Sequence, residues 1–64
     1  METFKERLLK EHDELHIKIN KLKMFTQDES FTKIDIVQQR LLFVQLDIMN
    51  VYDSVLTTRI NLLT

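Results

Sequence analysis

The chain has 64 residues, 44% hydrophobic and 30% charged, with a formal net charge of −1 and no Gly, Pro, Cys or Trp. Without glycine there is no phosphate-cradling loop or dinucleotide fingerprint, and without cysteine there is no disulfide, thiolate chemistry or cysteine-bound zinc, which fits a reducing compartment. Tight β-turns lean on Gly and Pro, so a fold of many short strands is disfavoured, and the balanced charge disfavours general attraction to DNA or RNA.

The first predicted helix covers residues 4–25. Phe4, Leu8, Leu15, Ile19 and Leu22 recur at spacings of four, seven, four and three, with His12 filling the gap, so they fall on one helical stripe. Glu6–Lys10 and Glu14–Lys18 are i,i+4 pairs in the favoured order, each worth about 0.2–0.5 kcal/mol. Glu2 and Glu6 near the start, and Lys18, Lys21 and Lys23 towards the end, suit the helix dipole. Residues Thr26 to Ser30 then break the apolar pattern. With no glycine to turn left-handed, the stop is expected to rely on short polar side chains bonding nearby backbone. Phe31 and Ile34 are expected to anchor the connection, and Asp35 followed by Gln38 has the form of a capping box.

A second helix is predicted over residues 36–62, roughly 40 Å long. It is apolar on two sides. Val37, Val44, Ile48, Val51, Val55 and Leu62 form one stripe, while Leu42, Met49, Leu56 and Ile60 form another. Leu41 and Tyr52 lie between them, and Ile17 and Met24 lie off the main stripe of the first helix. One shorter helix covers only one stripe, and large exposed apolar patches mark contact sites. Chains near 60 residues bury only about 60% of their unfolded surface, so a lone copy is marginally stable. The expected architecture is therefore all-α: a single domain over residues 1–64, folded as an antiparallel two-helix hairpin that assembles into a helical homo-oligomer.

Candidate chemistry is sparse. His12 and His16 are spaced i,i+4 as in helical zinc motifs, yet no third ligand accompanies them, so a solvated helix face is expected and no metal or cofactor. Ser30, Ser54, Thr57 and Thr58 have no assigned histidine partner, so no nucleophile–base–orienter set is expected and the chain does not read as an enzyme. Gln38, Gln45 and Arg59 fall within the apolar arc of the second helix. Gln45 can bond across a subunit interface and Arg59 can pair with an acidic residue of the first helix; alternatively, Arg59 binds a phosphate beside a stacking ring. In an antiparallel hairpin Arg59 faces the level of Phe4 to Glu11, near Lys5, Arg7 and Lys10, whereas Lys18, Lys21 and Lys23 lie at the loop end. The apolar run Leu41 to Val44 is far short of the ~20 residues of a membrane span, and residues 1–10 carry no signal-peptide core, which suggests a soluble cytoplasmic protein.

Along the second helix, Leu41-Leu42, Gln45-Leu46, Met49, Tyr52, Leu56 and Arg59-Ile60 give LLxxQLxxMxxYxxxLxxRI. The first helix adds Phe4-Lys5-Glu6-Arg7-Leu8, Glu11, Leu15, Ile19, Lys21-Leu22 and Phe25. Together these resemble the small helical-hairpin proteins of bacteriophages, a group that includes nucleotide sponges acting against CBASS and Thoeris defence. The resemblance implies a non-catalytic oligomer, hexameric in the best-known case. Such an oligomer binds a cyclic nucleotide or ADP-ribose-type signal between protomers in the host cytoplasm and starves the host effector. The family's pocket uses an aromatic ring, a lysine and an arginine, and the matching positions are Tyr52, Lys21 and Arg59. Lys21 and Arg59 lie at opposite ends of one hairpin, so a shared pocket requires two chains. The competing expectation is a small protein-interaction module, an adaptor or inhibitor of a host protein, docking through the spare apolar stripe.

Overall fold

The computed structural model describes residues 2–63. Helix α1 spans Phe4–Thr26, a 3₁₀ helix spans Glu29–Lys33, and helix α2 spans Ile36–Asn61. Each long helix differs from its expected span by one residue at its C-terminal end. The two pack antiparallel into a rod of 44 × 19 × 15 Å. Its radius of gyration is 14.7 Å, against about 11 Å for a compact chain of this length.

Helix α1 starts where Thr3, in extended backbone, accepts a hydrogen bond through Oγ1 from the Glu6 N–H at 3.1 Å. The spacing Thr3-Phe4-Lys5-Glu6 is that of a capping box, a start signal additional to the periodicity. The helix ends without a left-handed residue, because no described residue has positive φ. Instead the last turn tightens: the Gln27 N–H donates to the Met24 carbonyl (3.2 Å) and the Asp28 N–H to that of Phe25 (3.0 Å). Thr26 Oγ1 donates to the Lys23 carbonyl at 2.7 Å. The Asp28 carboxylate accepts from the Ser30 N–H and hydroxyl, both at 3.0 Å. The Ser30 backbone N–H, and then its hydroxyl, hold the Asp28 carboxyl below the usual carboxylate range. Its stabilising effect is thus present above that range and lost as pH falls through the lowered value. Short polar side chains do terminate α1, as the missing glycines required.

Phe31 is buried at the loop end, edge-on to Phe25 at 5.7 Å and to Phe43 at 5.3 Å between ring centroids. Ile34 is half-buried beside this aromatic closure. Asp35 occupies the N-cap of α2, but its side chain makes no capping bond, so the expected capping box with Gln38 does not form. Gln39 ties the start of the helix to the connection in another way: its Nε2 donates to the Ile34 carbonyl at 2.9 Å.

Between the helices, Leu8, Leu15 and Ile19 of α1 enclose Leu56 of α2, with Leu46, Met49 and Ile60 half-buried against them. Leu56 is 0% exposed. The α2 stripe of Leu42, Met49, Leu56 and Ile60 therefore faces α1, and the stripe from Val37 to Leu62 stays exposed. Phe4 was expected in the core stripe but is exposed, because it lies at the open end of the hairpin beyond Leu8. Gln38, Gln45 and Arg59 are exposed as well.

One polar pair interrupts the seam. Asp53 sits four residues after Met49 and three before Leu56, where the repeat calls for an apolar side chain, and it meets His12 across the interface. His12 Nε2 lies 3.1 Å from Asp53 Oδ1 and 3.2 Å from Thr57 Oγ1. Thr57 spends its one hydroxyl proton on the Asp53 carbonyl at 3.0 Å, so its oxygen accepts from an Nε2–H, which sets the imidazole tautomer. Asp53 Oδ1 is closed to solvent and has no well-aligned hydrogen bond among the described residues; the imidazole nitrogen is the polar group beside it. Sliding one helix past the other would leave both groups facing leucines, so the pair specifies register.

His12→Leu strands Asp53 Oδ1 and is expected to lower unfolding free energy by about 1–3 kcal/mol. Adding Asp53→Leu should recover wild-type stability or exceed it. Urea midpoints of the single and double variants check both.

Candidate functional site

The open end of the hairpin sets two arginines beside an aromatic ring. Thr3 fixes the start of α1, so Phe4, Arg7, Leu8 and Glu11 follow at i, i+3, i+4 and i+7 on one helical face. Arg59 comes from the last turn of α2, where a cation is favoured by the helix dipole. These five residues line an open cleft of about 340 Å³. The Arg59 guanidinium carbon lies 5.7 Å from the centroid of the Phe4 ring, a cation–π contact worth about 0.5–1 kcal/mol at an exposed position. No carboxylate lies within ion-pair distance of Arg59 among the described residues, so the ring takes the place of the acidic partner considered from sequence. Two guanidiniums against the single Glu11 carboxylate leave the cleft positive. A second shallow depression, lined by Ser54, Val55, Thr58 and Arg59, opens on the other side of the same arginine. Arg59 thus stands on the ridge between the cleft and the exposed apolar face of α2.

Tyr52 lies two turns before Arg59 on the same face of α2, roughly 10 Å along the axis, and the residue is 41% exposed. Lys21 is exposed on α1 but belongs to the other end. Because His12 sits opposite Asp53 and Thr57, Lys21, nine residues further on, lies roughly 20 Å from the level of Arg59. One hairpin therefore sets Arg59 and Tyr52 two turns apart on one face of α2, with Tyr52 outside the cleft and Lys21 at the other end. Arg7 and Phe4 are cleft residues that the resemblance did not single out; periodicity had placed Phe4 in the core stripe. Their signal was the antiparallel level of Arg59.

This end can hold an anion on paired guanidiniums and stack a planar ring. The His12 cluster offers different chemistry. Thr57 Oγ1 and Asp53 Oδ1 converge on the same imidazole nitrogen, and the exposed Asp13 carboxylate lies 3.7 Å from the other one, Nδ1, beyond hydrogen-bond distance. The His12 and His16 rings stack at 6.2 Å between centroids, and no group of three or more His, Cys, Asp or Glu that could hold a metal ion occurs among the described residues. None of the described helices is long and apolar enough to cross a membrane.

A family model described as Sequestin matches residues 2–62. No curated protein and no solved structure matches the chain.

If the paired guanidiniums hold anions, inorganic pyrophosphate at low salt should shift the NMR resonances of Arg7, Arg59 and Phe4 and leave Lys21 and Lys23 unmoved. Added salt should weaken the effect, and Arg59→Ala should abolish it.

Proposed function

Because the chain belongs to the Sequestin family, a name that denotes sequestration of a molecule, we propose that it is a non-catalytic phage sponge. In this reading it binds a cyclic nucleotide or related ADP-ribose-type immune signal in the host cytoplasm, and so withholds the signal from the host's antiphage effector. The observation that carries the reading is Arg59 held over the Phe4 ring beside Arg7. A guanidinium pair suits a phosphodiester or pyrophosphate bidentately, and Phe4 and Tyr52 offer faces for a base. Rigid helices fix these side chains in advance, so little ordering opposes binding. Sequestration requires tight binding alone. The exposed face of α2 suits self-assembly, and Lys21 joins such a site only from a neighbouring copy.

The same exposed face favours one other reading, docking onto a host protein without a nucleotide ligand. Hydrodynamics separates the two. A symmetric homo-oligomer that hides Val44, Ile48 and Val55 speaks for the sponge, and a soluble monomer exposing them speaks for the docking module.

Isothermal titration with cyclic di- and trinucleotides and cyclic ADP-ribose isomers is expected to find submicromolar binding to one class. Arg59→Ala should lower that affinity at least about 100-fold, the loss of a charge-assisted bidentate contact, with the oligomer intact. Absence of heat with every member of the panel would refute the proposal.

A further inference from the structure

The exposed stripe of α2 has a symmetry of its own. Val37, Val44, Ile48, Val51, Val55 and Leu62 are separated by seven, four, three, four and seven residues, a spacing that reads the same in both directions. Two such helices laid antiparallel therefore set Ile48 against Val51, Val44 against Val55 and Val37 against Leu62, with no charged side chain in the stripe. Antiparallel packing also aligns opposite helix dipoles. The surface area agrees. The chain exposes 5151 Å², against about 4,300 Å² for a compact monomer of its mass. The excess, roughly 800 Å², equals one partner's share of a standard interface.

A second pattern runs beside the first. Gln38, Gln45, Tyr52 and Arg59 recur every seven residues, so they form one column along an edge of the apolar stripe. All four are exposed. In an antiparallel pair the two-fold axis stands perpendicular to the helices, so this same edge of both helices borders a single groove. With Ile48 opposite Val51, the two columns interleave. Arg59 falls between the levels of Gln38 and Gln45 of the partner subunit, and Tyr52 lies next to Gln45 of the partner subunit. Two equivalent sites result, each containing a guanidinium, a phenol ring and two amides.

We infer that two copies pair through these antiparallel α2 faces, and that the groove, with Arg59 and Tyr52 from one chain and Gln38 and Gln45 from the other, receives an adenine-bearing phosphate ester. Arginine matches phosphate as a fork, the tyrosine ring stacks on a base, and a glutamine amide matches the paired donor and acceptor on the adenine edge. The ligand part of this inference rests on the proposed sponge function. The pairing does not.

Sedimentation tests the pairing. The wild type is expected to run as a dimer or a multiple of one. Ile48→Glu, at a position 63% exposed in the single hairpin, should give monomers with unchanged helical circular dichroism. Adding Val51→Lys to the same chain should restore pairing, because an antiparallel seam sets each new glutamate against the partner's new lysine, whereas a parallel seam sets like charges together. An Ile48→Glu chain of wild-type size overturns the pairing, and failure of the second change to restore it overturns the orientation.

Chain mixing tests the groove, with cyclic di-AMP and cyclic ADP-ribose as probes. Arg59→Ala should weaken binding at least about 100-fold, and separately Gln38→Ala/Gln45→Ala by about tenfold or more. Mixed in equal amounts they should regain about a quarter of the wild-type sites, since each mixed dimer carries one intact set. No regain, with mixed dimers present by native mass spectrometry, overturns the shared groove. Wild-type affinity in the Ile48→Glu monomer overturns the groove and leaves the sponge function standing. A wild-type dimer that binds neither probe overturns the groove's ligand and leaves the pairing standing.

Discussion

A helix can cover only one face of another, and this chain has two long helices to arrange. That constraint governs everything else in the structure. Helix α1 takes the face of α2 that carries Leu42, Met49, Leu56 and Ile60, and Leu56 becomes the fully enclosed centre of the core. The face from Val37 to Leu62 is left bare along the length of α2. A hairpin built this way is an elongated half-structure, with more surface than a compact chain of its mass should show. An apolar face of this length is the kind of surface that marks a contact site.

The seam itself is not uniformly apolar. Burying His12 against Asp53 gives up contact that two leucines would have supplied, and the distances of 3.1 and 3.2 Å around Nε2 show what replaces it. A seam of leucines alone tolerates sliding by one heptad, because every level resembles the next. A polar pair at one level does not. Register matters here because Arg59 must arrive opposite Phe4 and Arg7. A slip of one turn moves the guanidinium about 5 Å, enough to take it off the ring. The polar pair in the middle of the rod thus sets the geometry of the site at its end.

Membership in the Sequestin family accords with a chain that holds ligands without loops. Most nucleotide sites approach phosphate with glycine-rich backbone, and this chain has no glycine. Its cationic and aromatic groups stand on helices instead, where side chains reach outward from rigid backbone. The cleft at the open end is assembled in that way, by the packing of α1 against α2.

Much of this was legible in the sequence. The periods of Leu8, Leu15 and Ile19, and of Met49, Leu56 and Ile60, gave the two helices within a residue of their observed ends, because local hydrophobic spacing fixes a helix and its buried face. The antiparallel level of Arg59 followed from the short connection alone. Other features needed the tertiary structure. Periodicity showed two apolar stripes on α2 but not which one α1 would cover. The Asp35 cap did not form, and the side-chain bond at this helix start is the one Gln39 donates to the Ile34 carbonyl. Asp53 looked like one more polar residue of α2 until His12 was found facing it, and Arg59 found an aromatic ring where an acid was one expectation. Local spacing determines elements because it acts through adjacent turns of one helix. Partners across a seam depend on the relative rotation and register of two helices, which only the packing of the whole chain decides.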